Sequence, residues 1–215
     1  MSFPSNIINF NSEEELDISI LEEFKNLDSN KFSNVIFSGG QSPKNFYKSL
    51  SKSNIDWTQY LVTISDERDV NINDPLSNEG VIKSIINNGL FNQSFIGLRD
   101  EDIEEKLRKI STYDLSILGM GLDGHFASIF PAMTNIDLSL YGSESLINVS
   151  DGFPDVPRIS MTLNEIRKSK KVILIIKDND KFNLLKTKKN KNKLLPVDIL
   201  ISALNQKLTI YNLLT

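Results

Sequence analysis

A single histidine, His125, stands in the segment Gly119-Met120-Gly121-Leu122-Asp123-Gly124-His125, directly after an apolar run. An imidazole with an ordinary pKa of about 6.5 takes a proton from water and returns it at neutral pH. Gly119, Gly121 and Gly124 let the backbone fold tightly around a ligand, and Asp123 is near enough to orient the ring or stabilise its protonated form. Spacing alone leaves two readings open, a general base or a plain polar loop residue. Nucleophilic catalysis has little to build on. The chain holds no cysteine and no GxSxG elbow, and Ser128, at the expected start of a following helix, has no second histidine to serve it.

Two further polar clusters carry possible chemistry. In Ser38-Gly39-Gly40-Gln41-Ser42-Pro43 the glycines permit positive φ and close approach of backbone N–H groups to an anion. Ser42 could cap a helix whose first position is Pro43, which has no N–H to leave unpaired. The segment reads equally as a phosphate cradle at a helix N-terminus or as a tight strand-to-helix turn. It is neither a Walker A loop nor a GxGxxG dinucleotide fingerprint. Ser65-Asp66-Glu67-Arg68 places two carboxylates and a guanidinium after a strand. Arg68 could clamp a phosphate or carboxylate, with Asp66 or Glu67 binding hydroxyls or holding Arg68; a surface salt-bridge cluster is the alternative. Ser77 reads as a simple helix cap.

The elements that must position these groups alternate between apolar runs and amphipathic stretches, the signature of βαβ units and a mainly parallel sheet flanked by helices. Ser12 and Glu15 predict a capping box, followed by a helix with Leu16, Ile20, Phe24 and Leu27 on one stripe. Strands are predicted at 34–38, 61–65, 113–120, 158–162 and 171–177, helices at 43–50, 78–90, 100–110, 163–169 and after Asp180, and the alternation continues through apolar segments at 197–204 and 208–214. Residues 132–157 are the least regular part. In open parallel sheets ligands sit beyond the carboxyl ends of the strands. All three polar clusters follow predicted strands there, so they are expected to converge on one edge.

Composition narrows the classes. With 215 residues, 40% of them hydrophobic, the chain is long enough for one sizeable core, read as a single domain over residues 1–215. No segment has the form of a signal peptide or membrane span, so a soluble, cytoplasmic protein without membrane partners is expected. Without cysteine there is no disulfide, thiolate nucleophile or cysteine-ligated metal, and one histidine excludes a histidine-rich metal site within the chain. A net charge of −4 and a pI near 5.2 argue against a nucleic-acid partner. The basic run Lys186–Lys193 is read as a solvated loop.

Taken together, these segments resemble the 6-phosphogluconolactonases. The stretch from Leu118 to Pro131, LGMGLDGHFASIFP, is similar to that family's LGMGxDGHxASLFP, and SGGQSP to its SGGSTP loop. SDERDV with Asp74–Asn78 resembles the DERxV and SN segments, and Pro157–Ile166 the PxRxTLT segment. The resemblance runs from Val35 to about Leu185. The related glucosamine-6-phosphate deaminases read DEY where this chain has Asp66-Glu67-Arg68, and carry an acidic ring-opening residue where it has Ile129 and Phe130.

The resemblance implies a deaminase/ribose-phosphate isomerase-like α/β fold that hydrolyses 6-phosphogluconolactone in the pentose phosphate pathway, with no cofactor or metal, as a monomer or homodimer. It implies phosphate binding by Gly39, Gly40, Gln41, Ser42, Arg158 and a downstream lysine, and substrate contact by Arg68 and Asp66. His125 would activate water with support from Asp123. The lysine is assigned to Lys181, with Lys177 as alternative, because Asp178 replaces the family's glycine in this segment. A deaminase-type enzyme and a non-catalytic sugar-phosphate-binding protein are the competing expectations. The latter would have no need of His125 beside Asp123.

Overall fold

The computed structural model describes residues 6–27, 31–186 and 194–214. In chain order the strands are β1 (Ile7–Phe10), β2 (Ser33–Phe37), β3 (Tyr60–Ile64), β4 (Asp66–Arg68), β5 (Tyr113–Gly119), β6 (Leu146–Val149), β7 (Arg158–Met161), β8 (Ser169–Ile176) and β9 (Leu208–Leu213). The helices are α1 (Glu13–Lys25), α2 (Lys44–Ser51), α3 (Asn78–Ile86), α4 (Gly89–Ser94), α5 (Ile103–Lys109), α6 (Ile136–Tyr141), α7 (Leu163–Ile166), α8 (Asn179–Lys186) and α9 (Pro196–Leu204). Six strands form a parallel sheet in the order β1-β9-β8-β5-β2-β3. Its central strands are rich in apolar residues because helices cover both faces: Leu115, Ile117 and Leu118 of β5 and Val172 to Ile176 of β8 have no exposed surface.

Helix α1 shows how local chemistry and packing agree. The Ser12 side chain accepts the N–H of Glu15 at 3.2 Å, as a capping box requires. The reciprocal bond is shifted by one residue, since Glu15 Oε2 accepts from Asn11 N at 3.0 Å. Leu16, Ile20 and Phe24 are buried, and Phe24 packs within rings from Phe37, Phe46, Trp57 and Tyr60. Leu27, beyond the helix end, is partly buried against the same core.

Several expectations are corrected. The 78–90 helix divides at Asn87, whose φ of 44° is left-handed, and Asn88 then caps α4 by accepting from Leu90 N and Phe91 N. Pro43 occupies the N-cap of α2 instead of its first turn, and no side chain, Ser42 included, caps that helix. Ser128 is not at a helix start: Phe126 and Ile129 form a tight bridge around Ala127, at φ 48°, and the next helix begins at Ile136. Asp66–Arg68 is a strand instead of a loop. With β7 and β6 it builds a small antiparallel sheet in the order β4-β7-β6, which takes Arg158–Met161 out of the main sheet. Residues 132–157 therefore contain both α6 and a strand. The basic run after Lys186, read as a solvated loop, lies outside the described residues.

Candidate active site

The order of the parallel strands fixes where a ligand can sit. From β2 the chain moves outward to β3, then returns to β5 on the other side of β2 and moves outward again to β8 and β9. The direction of winding reverses between β2 and β5, and a crevice opens beyond their carboxyl ends. A cavity of about 250 Å³ occupies that position. Ser38 to Ser42 follow β2 into it, Asp66 and Arg68 come from β4, and Gly119 to Gly121 end β5. His125 and Ala127 supply the next wall, with Asn78 from α3 and Lys181 from α8.

The Gly39–Ser42 loop is shaped by contact as much as by chain flexibility. Gly40 has φ of 84°, which favours glycine. A Cβ on Gly39 would fall 1.9 Å from the Asn78 carboxamide oxygen, so only glycine lets the loop seat against Asn78. Behind it the buried Tyr47 hydroxyl donates to Ser38 O at 2.6 Å and accepts from Ser38 N at 3.2 Å, and burial pushes this phenol's pKa up. Ser38 Oγ and Arg68 Nε, both on residues that line the cavity, are buried without a hydrogen-bond partner. Buried polar atoms are nearly always paired, and these two, unlike the atoms also lacking a hydrogen bond at Thr63, Glu165 and Asn212, stand where a ligand in the cavity could reach them.

The histidine loop closes on itself. Gly121 N donates to His125 O at 2.9 Å and Gly124 N to Gly121 O at 3.1 Å, which carries the imidazole back over Gly121. Its Nδ1 lies 2.6 Å from Asp123 Oδ1, and the same oxygen accepts from His125 N at 3.1 Å. Burial works to raise the Asp123 carboxyl, but the bond from the imidazole, its charge and nearby backbone N–H groups outweigh it. The net pKa lies below the ordinary value. The Phe130 ring packs on the imidazole at 4.6 Å between centroids. Asp123 itself is behind the histidine and outside the cavity lining.

On β4, Asp66 is buried and hydrogen-bonded through both oxygens: Oδ1 accepts from Ser65 Oγ at 2.9 Å and Oδ2 from Ser128 Oγ at 2.7 Å. It thereby ties the small sheet to the histidine loop. Arg68 donates through an Nη to Leu76 O at 2.7 Å. The β4–β7 register sets Arg68 opposite Arg158. Arg158 is not brought into the cavity lining. Its guanidinium donates to the carbonyls of Asp151, Pro154 and Val156 and lies over the Phe130 ring, 5.4 Å from the centroid. Burial first, then Arg68, lower its pKa, while Asp66 and Asp155 oppose them.

The two candidate lysines differ in reach. Both line a neighbouring groove, but only Lys181 also lines the cavity, whereas Lys177 pairs with Asp17 at 3.3 Å and Glu13 at 3.5 Å. Among the described residues no group of three or more histidine or carboxylate side chains is placed to hold a metal ion. No described helix is long and apolar enough to cross a membrane. Sequence reasoning missed Asn78 as a wall residue; the SN segment that contains it was the available signal.

Residues 14–210 match the family described as glucosamine-6-phosphate isomerases/6-phosphogluconolactonase. A 6-phosphogluconolactonase of Thermotoga maritima is 32% identical over 70% of this chain and 72% of its own length. One of Helicobacter pylori is 30% identical over 81% and 80%. Among solved structures, the T. maritima 6-phosphogluconolactonase superposes with a TM-score of 0.78 at 26% identity, over 97% of this chain and 98% of that one. The Trypanosoma cruzi 6-phosphogluconolactonase, at 19% identity, shares the fold with a TM-score of 0.82 over 99% and 96%. On a family match that spans nearly all of its length, the chain belongs to the glucosamine-6-phosphate isomerase/6-phosphogluconolactonase family.

Proposed function

We propose that this chain hydrolyses 6-phospho-D-glucono-1,5-lactone to 6-phospho-D-gluconate, the lactone-opening step of the oxidative pentose phosphate pathway. The observation that carries this reading is His125 at the wall of the switch-point cavity with Asp123 bonded behind it. A carboxylate on Nδ1 holds the proton on that nitrogen and leaves Nε2 as the base. His125 takes a proton from water as its oxygen attacks the lactone carbonyl. The tetrahedral oxyanion collapses with cleavage of the ring C–O bond, and the imidazolium returns the proton to the departing ring oxygen. One histidine thus serves both steps. Backbone N–H groups of the two glycine loops are the oxyanion donors available.

The phosphate goes to Gly39, Gly40, Gln41 and Ser42 with Lys181, while Arg68 and Asp66 face the sugar. Phosphate binding by Arg158, as the resemblance implies, requires its guanidinium to exchange the three backbone carbonyls for the ligand. Ring-opening deamination is disfavoured here because Phe130 and the buried Ile129 stand where a carboxylate would be needed.

The test is hydrolysis of freshly generated lactone, followed by acid release and corrected for spontaneous opening, in wild type and His125→Asn. Loss of a general base costs about 10²- to 10⁴-fold, so turnover should collapse while phosphate-ligand binding persists. Equal rates would remove His125 from the mechanism. Inactivity of both proteins would turn attention to glucosamine 6-phosphate, and then to binding without catalysis.

A further inference from the structure

Glu67 has no exposed surface, does not line the cavity, and is given no part in the reaction above. Its carboxylate is nevertheless fully occupied. Oε1 accepts from Arg68 N at 2.7 Å and Asn78 N at 2.8 Å, and Oε2 accepts from Glu79 N at 2.8 Å and Ser77 Oγ at 3.1 Å. Asn78 and Glu79 are the first two residues of α3. A helix start leaves its first N–H groups without partners, and here they are shared out: Glu67 takes the first two, Ser77 Oγ takes Gly80 N at 3.0 Å, and Ser77 O takes Val81 N. The strand that precedes α3 therefore supplies the anion that the helix dipole favours.

The segment held this way is the one on which two cavity walls rest. Arg68 is anchored to Leu76 O, and the Asn78 carboxamide donates to Asp66 O at 2.8 Å while seating against Gly39. We propose that Glu67 is a positioning residue: by clamping residues 77–79 to β4 it fixes Arg68 and Asn78 against the Gly39–Ser42 loop, and so sets affinity for the phosphorylated substrate. The proposal rests on the lactonase reading for its substrate, but not for its geometry.

Glu67→Gln tests it, because one carboxamide cannot accept on both sides; its NH₂ must face an N–H donor. KM for the lactone and Kd for 6-phosphogluconate should rise together by about tenfold, the scale of one lost hydrogen bond to a charged group, with a smaller change in kcat. Glu165→Gln is the control, an equally buried carboxylate bonded to Tyr113 and Lys168 away from the cavity; it should lower Tm and leave KM alone. Because Glu67 acts through Asn78, the effects of Glu67→Gln and Asn78→Ala on Kd should be less than additive in the double variant. Should Glu67→Gln fail to fold, Glu67→Asp, which keeps the charge but shortens the reach, should give the same pattern at lower amplitude.

Wild-type KM and Kd in a Glu67 variant, or additive effects, would overturn the proposal. So would loss of kcat with KM unchanged. The affinity for inorganic phosphate, measured by calorimetry on the same proteins, is independent of turnover. If wild type lacks lactonase activity the functional reading fails, while a phosphate Kd that still weakens in Glu67→Gln upholds the clamp and an unchanged one rejects it.

Discussion

Gly121→Ala is the sharpest perturbation of the histidine's placement. A Cβ on Gly121 would lie 2.2 Å from both Cε1 and Nδ1 of His125 and 2.7 Å from Asp123 Oδ1. Ordinary contact begins at 3.4 Å, so the imidazole must withdraw by about 1.2 Å. The backbone of Gly121 is not in the left-handed region, so alanine fits the chain itself and the strain falls on the ring. That ring is 30% exposed, so it yields toward solvent at the expense of its contacts with Asp123 and Phe130, a cost in stability of about 1 kcal/mol. Catalysis is less tolerant. Misplacement of a reacting group by about 1 Å costs on the order of 100-fold, or about 2.7 kcal/mol in the barrier. Lactone hydrolysis by proton release, with Tm measured alongside, should show kcat reduced by about that factor in a protein of only slightly lowered Tm. A kcat close to that of wild type would refute the placement of His125 as the base, because the base would have been moved without consequence.

Other perturbations separate binding from support. Lys181→Ala should raise KM for the lactone about tenfold with kcat nearly unchanged, the loss expected for one charge-assisted contact. Lys177→Ala should instead lower Tm, since it strands Asp17, whose pKa burial already raises against the pull of Lys177; a larger KM effect at Lys177 than at Lys181 would reverse the assignment. Tyr47→Phe leaves the buried N–H and C=O of Ser38 without their partner and should cost about 1–3 kcal/mol in chemical denaturation. Asp123→Asn should reduce kcat through loss of ring orientation. Its effect on stability has a definite sign: a carboxyl held below its ordinary pKa stabilises the fold above the unfolded value, near ~3.9, and loses that contribution as pH falls through the lower folded value. The stability gap between wild type and variant should therefore be flat at neutral pH and close in acid, and a gap that widens in acid would contradict the shift.

How far the sequence speaks depends on the kind of signal. The buried strands β2, β3, β5 and β8 were legible because a parallel sheet covered on both faces concentrates apolar residues in short stretches, and such stretches stand out without further context. Strand β1 was not. It sits at the sheet edge with two of its four residues exposed. The small sheet was missed for a related reason. Asp66-Glu67-Arg68 has no apolar residue, and its backbone pairs with Arg158–Met161, far along the chain, which no local pattern announces.

The site divides along the same line. His125, Arg68 and the Gly39–Ser42 loop could be named because their chemistry is intrinsic to residue type and strand ends bring them together, whereas Lys181 came from the resemblance alone. Asn78 could not be named, and Glu67 was named only as one of two carboxylates for hydroxyls or for Arg68, since what they do is a relation. Asn78 matters because Gly39 has no Cβ, and Glu67 because three N–H groups and a hydroxyl converge on a carboxylate that the sequence shows only as one more charged residue in a polar cluster. Arg158 marks the opposite limit. Its residue type and motif point to an anion, yet the β4–β7 register places it opposite Arg68, with its guanidinium on three carbonyls and the Phe130 ring that backs His125. In this arrangement Arg158 influences the histidine through Phe130. A change there should therefore register in kcat as well as in KM, whereas a residue that only grips phosphate would register in KM alone.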